Sequence, residues 1–124
     1  MITLLESGLH EGDRAKLRCG TLERPELLED AVSEVAEHLV TDPPVRVFGR
    51  ACVQHRDICL FAPEGITYSY TGSKAPSASI GPALDALRTY VNAYLGTQYN
   101  AVLVNRYKNG NDFISDHSDN ERGL

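Results

Sequence analysis

The stretch YNAVLVNRYKNGNDFISDHSDNE, from Tyr99 to Glu121, decides how this chain is read. Its first nine residues have the period of a strand, in which alternate side chains face opposite ways. Tyr99, Ala101, Leu103, Asn105 and Tyr107 fall on one face, and Asn100, Val102, Val104 and Arg106 on the other. Both faces are apolar in the middle, which predicts a strand covered on both sides. An amide and a phenol, Asn105 and Tyr107, then sit together at the end of the first face. Such a pair either hydrogen-bonds a small polar ligand or closes a strand end with its own polar needs met. Lys108-Asn109-Gly110-Asn111-Asp112 reads as a turn and Phe113-Ile114 as a resumed extended segment, with His117 and Asp119 following two residues apart. Side chains at i and i+2 of extended backbone point the same way, so this imidazole and this carboxylate can meet one cation.

Upstream, Gly81-Pro82 opens a helix whose Leu84, Leu87, Val91 and Tyr94 share a face and which closes at Gly96. Before it the texture is that of short strands and tight turns. Val45 to Phe48 ends at Gly49, Asp57 to Phe61 ends at Pro63-Glu64-Gly65, and Ile66 to Tyr70 alternates before Thr71-Gly72. Ser73 to Ser79 is a polar loop. A second amphipathic helix is predicted from Pro25 to Val40, with Leu28, Val32, Val35 and Leu39 at helical spacing and Glu26, Glu29 and Asp30 where the helix dipole favours anions. Residues 1–20, with Gly8, Gly12 and Gly20, read as an extended or loosely structured lead-in. The fold class expected is α+β.

A chain of 124 residues with 42% apolar and 23% charged side chains has an ordinary globular composition. The net charge of −5 is unevenly spread, since residues 1–42 carry four basic and ten acidic groups and residues 43–124 carry eight and seven. No basic stripe marks a phosphate-gripping protein, although Arg46, Arg50, Arg56, Lys74, Arg106, Lys108 and Arg122 could converge into a local groove. Three cysteines without CxxC spacing suggest neither a disulfide framework nor a zinc ribbon. The amino terminus lacks signal-peptide character and no stretch is long enough to span a bilayer, so the expectation is a soluble intracellular protein of nucleus or cytosol, with no membrane partner.

One histidine and one carboxylate are two members of the 2-His-1-carboxylate facial triad, which leaves one face of an octahedron open for co-substrate and dioxygen and which selects iron(II). A bare His-x-Asp also arises in solvated turns; the surrounding residues add the specificity. The run Asn105, Arg106, Tyr107, Gly110, Asp112, Ile114, His117, Asp119 and Glu121 resembles the AlkB family of iron(II)/2-oxoglutarate dioxygenases, particularly the eukaryotic-type homologues that reverse DNA alkylation damage. Phe48-Gly49, Arg56, Phe61 and Gly65 to Tyr70 extend the resemblance over roughly residues 45–124.

The resemblance implies that His117 and Asp119 ligate iron, that Asn105 and Tyr107 hydrogen-bond 2-oxoglutarate, that Tyr68 and Tyr70 form a lid contacting the target base, and that Glu121 lines the base pocket. Tyr68 and Tyr70 either stack an extruded base or pack as ordinary strand tyrosines. Arg56 reads as a structural hydrogen-bond donor. The implied organisation is an amino-terminal extension over 1–44 and, over 45–124, the first part of a double-stranded β-helix (jelly-roll) core. Ser118 and Asn120 depart from some relatives and bear on substrate preference. Only five residues follow Asp119, whereas the family draws its second iron histidine and its 2-oxoglutarate arginines from downstream strands. The expectation is therefore an amino-terminal portion, incomplete in its core and inactive alone, with Leu103 and its neighbours uncovered and stability marginal without a carboxy-terminal segment. The implied activity is oxidative demethylation of alkylated DNA or RNA using iron(II), 2-oxoglutarate and dioxygen. The alternatives are a non-catalytic remnant that binds nucleic acid or a protein partner, and the same chemistry on RNA, protein or lipid.

Overall fold

The computed structural model describes residues 5–8, 16–70 and 73–114. Along the chain run β1 (Leu5–Gly8), β2 (Lys16–Cys19), α1 (Pro25–Val35), a 3-10 turn (Ala36–His38), β3 (Val40–Thr41), β4 (Pro44–Val47) and β5 (Arg50–Val53). Then follow β6 (Asp57–Phe61), β7 (Ser69–Tyr70), β8 (Ser73–Lys74), β9 (Ser77–Ala78), α2 (Pro82–Leu95) and β10 (Val102–Arg106). The class is α+β, with mostly antiparallel pairing.

β6 organises the rest, because all five of its residues are buried. One edge carries β10 along its whole length, in the register Val102 to Phe61 through Arg106 to Asp57. The other edge is shared: β3 pairs antiparallel with its first two residues and β9 parallel with its last two. Both backbone edges of the most buried strand are thereby satisfied. Period two then sorts the side chains. Cys59 and Phe61 of β6, with Val102 and Val104 of β10, pack on Ala31 and Val35 of α1 and Leu84 of α2. Ile58 and Leu60 face the other way, into a cluster with Ala62, Ala75, Val45, Ile66, Tyr68 and Ala101.

The coverage of β10 expected from its pattern holds on the helix side, and the uncovered Leu103 expected from the resemblance is found on the other. On the other face Leu103 is 36% exposed and Tyr99 55%, so only Ala101 is packed there. The first helix is also shorter than its periodicity suggests. Leu39 continues the helical spacing, but the chain leaves the helix at Val35 and tightens into a 3-10 turn, and Val40 joins the sheet. The buried stripe of α1 runs through Ala31 and Val35, while Leu28 and Val32 are 49% and 57% exposed. The contact with α2 sets that rotation, with the small Ala31 at the seam. The lead-in contains an antiparallel hairpin of β1 and β2, and Arg50 to Val53 forms a strand that pairs with β4.

The helices are joined by charge as well as by packing. Glu34 of α1 accepts hydrogen bonds from the backbone N–H groups of Ala83 and Leu84, both at 2.9 Å, and so caps the amino terminus of α2 from a neighbouring helix. At the other end Gly96 takes a left-handed conformation, φ 66°, that closes the helix against Asn92. Asn92 then fixes the departing chain, its Oδ1 accepting from Tyr99 N and its Nδ2 donating to Tyr99 O, where Arg88 also donates. β10 is thus launched from a clamped residue.

A methyl group built at Gly81 would lie 2.5 Å from Glu34 Oε1, so Gly81→Ala displaces the cap. Glu34→Gln and Gly81→Ala should each cost about 1–2 kcal/mol of unfolding free energy, with a less than additive sum because both act on one cap. Urea unfolding followed by far-ultraviolet circular dichroism checks this; additive losses would place the two residues in separate roles.

Candidate active site

Asn105 and Tyr107 leave the end of β10 on the face opposite the helices, as the period-two reading requires. Beside them stands Arg56, two residues before Ile58 and therefore on the same face of β6's extension. It is buried, 8% exposed, and held in place: its Nε donates to Gln54 Oε1 at 2.8 Å and its Nη1 to Asn105 Oδ1 at 3.0 Å. Arg56 is thus a structural donor, as the sequence suggests. Its bond also orients the Asn105 amide, since an oxygen turned to a guanidinium leaves the amide NH2 to donate elsewhere. Tyr107, the first residue past β10, is 42% exposed.

Tyr68 reaches this side of the sheet from another direction. It packs, half-buried, on the cluster of Ile58, Leu60, Ala62 and Ala75, and its carbonyl accepts from Ala75 N at 2.8 Å. The expected strand from Ile66 to Tyr70 is confined to Ser69–Tyr70, because Ile66 and Tyr68 are drawn onto the core. Tyr70 lies opposite Ser73, and its side chain is outside the described set. His117, Asp119 and Glu121 also lie outside the described residues. Among the described residues no three His, Cys, Asp or Glu side chains come together as a metal site. The chain toward His117 turns as expected: Lys108 N donates to Asp112 Oδ2 at 3.0 Å and Asp112 N to Asn109 O at 3.1 Å. Phe113 then stacks on His55, ring centroids 6.3 Å apart and 10° from parallel.

Behind Tyr107 lies a group that sequence reading missed. Asp57 has no exposed surface, and its Oδ2 accepts from Arg106 Nε at 2.9 Å and pairs with Nη2 at 2.8 Å. Lys108 Nζ lies 3.4 Å from Asp57 Oδ1 and 3.5 Å from Asp42. The first of these is ion-pair reach without hydrogen-bond alignment, so Oδ1 accepts no hydrogen bond. Burial alone would raise the Asp57 carboxyl's pKa; Arg106 and Lys108 outweigh it and hold the group below its ordinary value. Desolvation pulls Lys108 down, and Asp57 and Asp42 overcome it to hold the ammonium above its ordinary value. Three members of the basic groove considered from sequence are therefore committed elsewhere, Arg56 to Asn105 and Arg106 and Lys108 to carboxylates.

A second missed feature is the β4–β5 hairpin. Its two-residue tip, Phe48-Gly49, has φ of 50° and 75°, the positive values of a tight hairpin turn, and Phe48 is fully exposed. The sequence places Phe48 at a strand end; pairing of Val47 with Arg50 puts it at the apex instead. The signal was present in the two-residue spacing between PVRV and RACV. An apolar groove of 210 Å³ lined by Leu22, Tyr90, Val91, Tyr94 and Leu95 shares no residue with any of these groups.

Over 105 residues the chain is 32% identical to the DNA oxidative demethylase ALKBH2 of Homo sapiens, a match covering 85% of this chain and 40% of that protein. Over 86 residues it is 37% identical to the Arabidopsis thaliana protein of the same name, covering 66% of this chain and 27% of that one. The chain belongs to the AlkB family. No protein-family profile matches it. It spans less than half the length of these AlkB relatives, the Mus musculus protein included, at 44%. Asn105 and the half-buried Tyr68 lie on the side of the sheet away from the helices. Among the described residues no helix is long and apolar enough to cross a membrane.

The ion network sets a pH window. Asp57's folded pKa is depressed, so its contribution is complete above the ordinary aspartate value of about 3.9 and is lost as pH falls through the folded value. Lys108's is raised, so its contribution is complete below about 10.4 and is lost as pH rises through the folded value. Arg106→Ala leaves Asp57 buried with one cation. Since Arg106 is itself 48% exposed, the loss should fall at the lower end of the roughly 3–5 kcal/mol for a broken buried pair. The acid midpoint of unfolding should also move to higher pH. Circular dichroism across pH 3–9 checks both, and an unmoved midpoint would remove Arg106 as Asp57's principal partner.

Proposed function

We propose that this chain carries part of the active site of an iron(II)/2-oxoglutarate-dependent dioxygenase that demethylates alkylated bases in DNA. The observation that carries the reading is the pair on one sheet face: the Asn105 amide NH2, oriented by Arg56, and the exposed Tyr107 phenol. Both can donate and neither is a carboxylate, which suits an anionic dicarboxylate such as 2-oxoglutarate. His117 and Asp119 would hold the iron, and an imidazole with a carboxylate is a donor set that iron(II) accepts. When bound, the metal supplies the oxidising chemistry with dioxygen and 2-oxoglutarate. The chain's residues bind and orient the cosubstrate, and the apolar shelf of Ile58, Leu60 and Tyr68 excludes water beside it. The surrounding core is read as the first part of a jelly roll.

DNA as substrate is supported by the name of the relatives, DNA oxidative demethylase, and by the exposed side chains of this chain. Phe48 stands fully exposed at a hairpin apex between Arg46 and Arg50, and an apolar wedge flanked by cations is suited to entering a base step while the arginines meet phosphates. Tyr68 and Tyr70 would stack the extruded base and Glu121 would meet its edge. A DNA substrate would place the protein in the nucleus.

Two measurements test this. Iron(II), 2-oxoglutarate and an N-methylated oligonucleotide should yield little formaldehyde with the 124-residue chain alone, and none on His117→Ala or Asp119→Ala. If the chain is instead a non-catalytic binding module, manganese(II) titration will show no 2-oxoglutarate-dependent uptake. Separately, Phe48→Ala should weaken duplex binding about tenfold or more while leaving the melting temperature unchanged, because stacking at one base step is worth roughly 1–3 kcal/mol and a fully exposed ring contributes no packing. Unchanged affinity by fluorescence anisotropy would reject Phe48 as a DNA contact.

A further inference from the structure

A carboxylate with no exposed surface in the middle of a sheet requires a reason. An apolar residue at position 57 would fill the same space without desolvating a charge, and such replacements of buried ion pairs are often neutral or stabilising. The reason lies in what Asp57 holds. Arg106 and Lys108 bracket Tyr107, and both turn to the helix side of the sheet, Arg106 onto Asp57 Oδ2 and Lys108 between Asp57 Oδ1 and Asp42. Lys108 is fixed a second time, through its backbone N–H to Asp112. Tyr107 is thus pinned through both neighbours, while its own side chain is left to the open face. Asn105 is fixed from that face by Arg56.

Asp42 belongs to the same device. It is one of two non-glycine residues with positive φ among the described residues, at 43°, and its N–H donates to the carbonyl of Arg56 at 3.1 Å. The corner that presents its carboxylate to Lys108 is therefore tied to the residue that orients Asn105. One connected set of bonds, Asp42–Lys108–Asp57–Arg106, lies behind the sheet, and Arg56–Asn105 lies in front.

We propose that Asp57 is a positioning residue for the cosubstrate pocket: by gripping Arg106 and Lys108 behind the sheet, it fixes the direction in which Asn105 and Tyr107 face in front. The inference rests on the assignment of Asn105 and Tyr107 to 2-oxoglutarate. It assigns Asp57 no contact with the cosubstrate.

The test separates orientation from stability. In manganese(II)-loaded protein, Asp57→Asn should weaken 2-oxoglutarate binding by about tenfold or more, as losses behind a ligand-binding residue typically do. The paired replacement Asp57→Leu with Arg106→Met should retain the melting temperature yet show the same loss of affinity. Glu34→Gln serves as the control, losing stability at the contact of α1 with the start of α2 with affinity unchanged. Affinity retained in both Asp57 variants overturns the proposal, as does a loss of affinity that follows melting temperature across all three. Should the unsubstituted chain bind no 2-oxoglutarate, the cosubstrate reading falls on its own. The positioning claim is then judged by nuclear magnetic resonance of the Asn105 side-chain amide and the Tyr107 ring. Shifted or broadened signals in Asp57→Asn support it, and signals identical to those of the unsubstituted chain overturn it.

Discussion

Complete burial of β6 is the constraint on which the rest of this structure depends. A strand can be buried along its whole length only if both edges find backbone partners and both faces find packing, and each requirement recruits a different part of the chain. β10 supplies one edge, β3 and β9 divide the other, α1 and α2 cover one face, and the Ile66–Tyr68 segment with Ala75 covers much of the second. Segments more than forty residues apart therefore meet at one pentapeptide, and the residues with chemistry to offer are those at the margins of its cover.

Register follows from the same strand. A one-residue slip of β10 would send Val102 and Val104 away from the helices and bring Leu103, Asn105 and Tyr107 against them. The apolar residues alone resist this weakly, since both faces of β10 carry them. The Asp57–Arg106 pair resists it strongly, because in the slipped register a buried carboxylate would face an amide or a phenol in place of a guanidinium. A charge that adds little net stability can still decide which face of a strand is displayed, and here that choice decides whether Asn105 and Tyr107 meet solvent or helix.

Local pattern made the strand Asp57–Phe61, the helix between Pro82 and Gly96 and the turn at Lys108–Asp112 legible in the sequence. Each is announced by residues within a few positions of itself. What was not legible depends on partners far along the chain. Asp57 at the head of an apolar run resembles a solvated boundary, and its burial is caused by Arg106, 49 residues later. Leu28 and Val32 fit a helical stripe as well as Ala31 and Val35 do; only the approach of α2 selects between them. The Arg50–Val53 strand offered a weak alternation of its own and exists as the partner of Pro44–Val47. The metal pair suggested by His117 and Asp119 rests on sequence, and the hydrogen bond from Arg56 to Asn105 on structure.

The two sides of the central sheet differ in a way that packing alone does not explain. On the helix side Val102 and Val104 are covered and even the polar residue, Arg106, is matched by a buried counter-charge. On the other side cover is graded, from the packed Ala101 through Leu103 to Asn105 and Tyr107, which stay open at the end where Arg56 donates to Asn105. Under the proposed reading, this gradient would give a small anionic ligand low dielectric on one side to strengthen its hydrogen bonds and an approach on the other. The same gradient leaves Leu103 and Tyr99 uncovered, so the surface that suits the site lowers stability. Stability is recovered behind the sheet, in the helix contact capped by Glu34 and in the fully buried strand that both faces share.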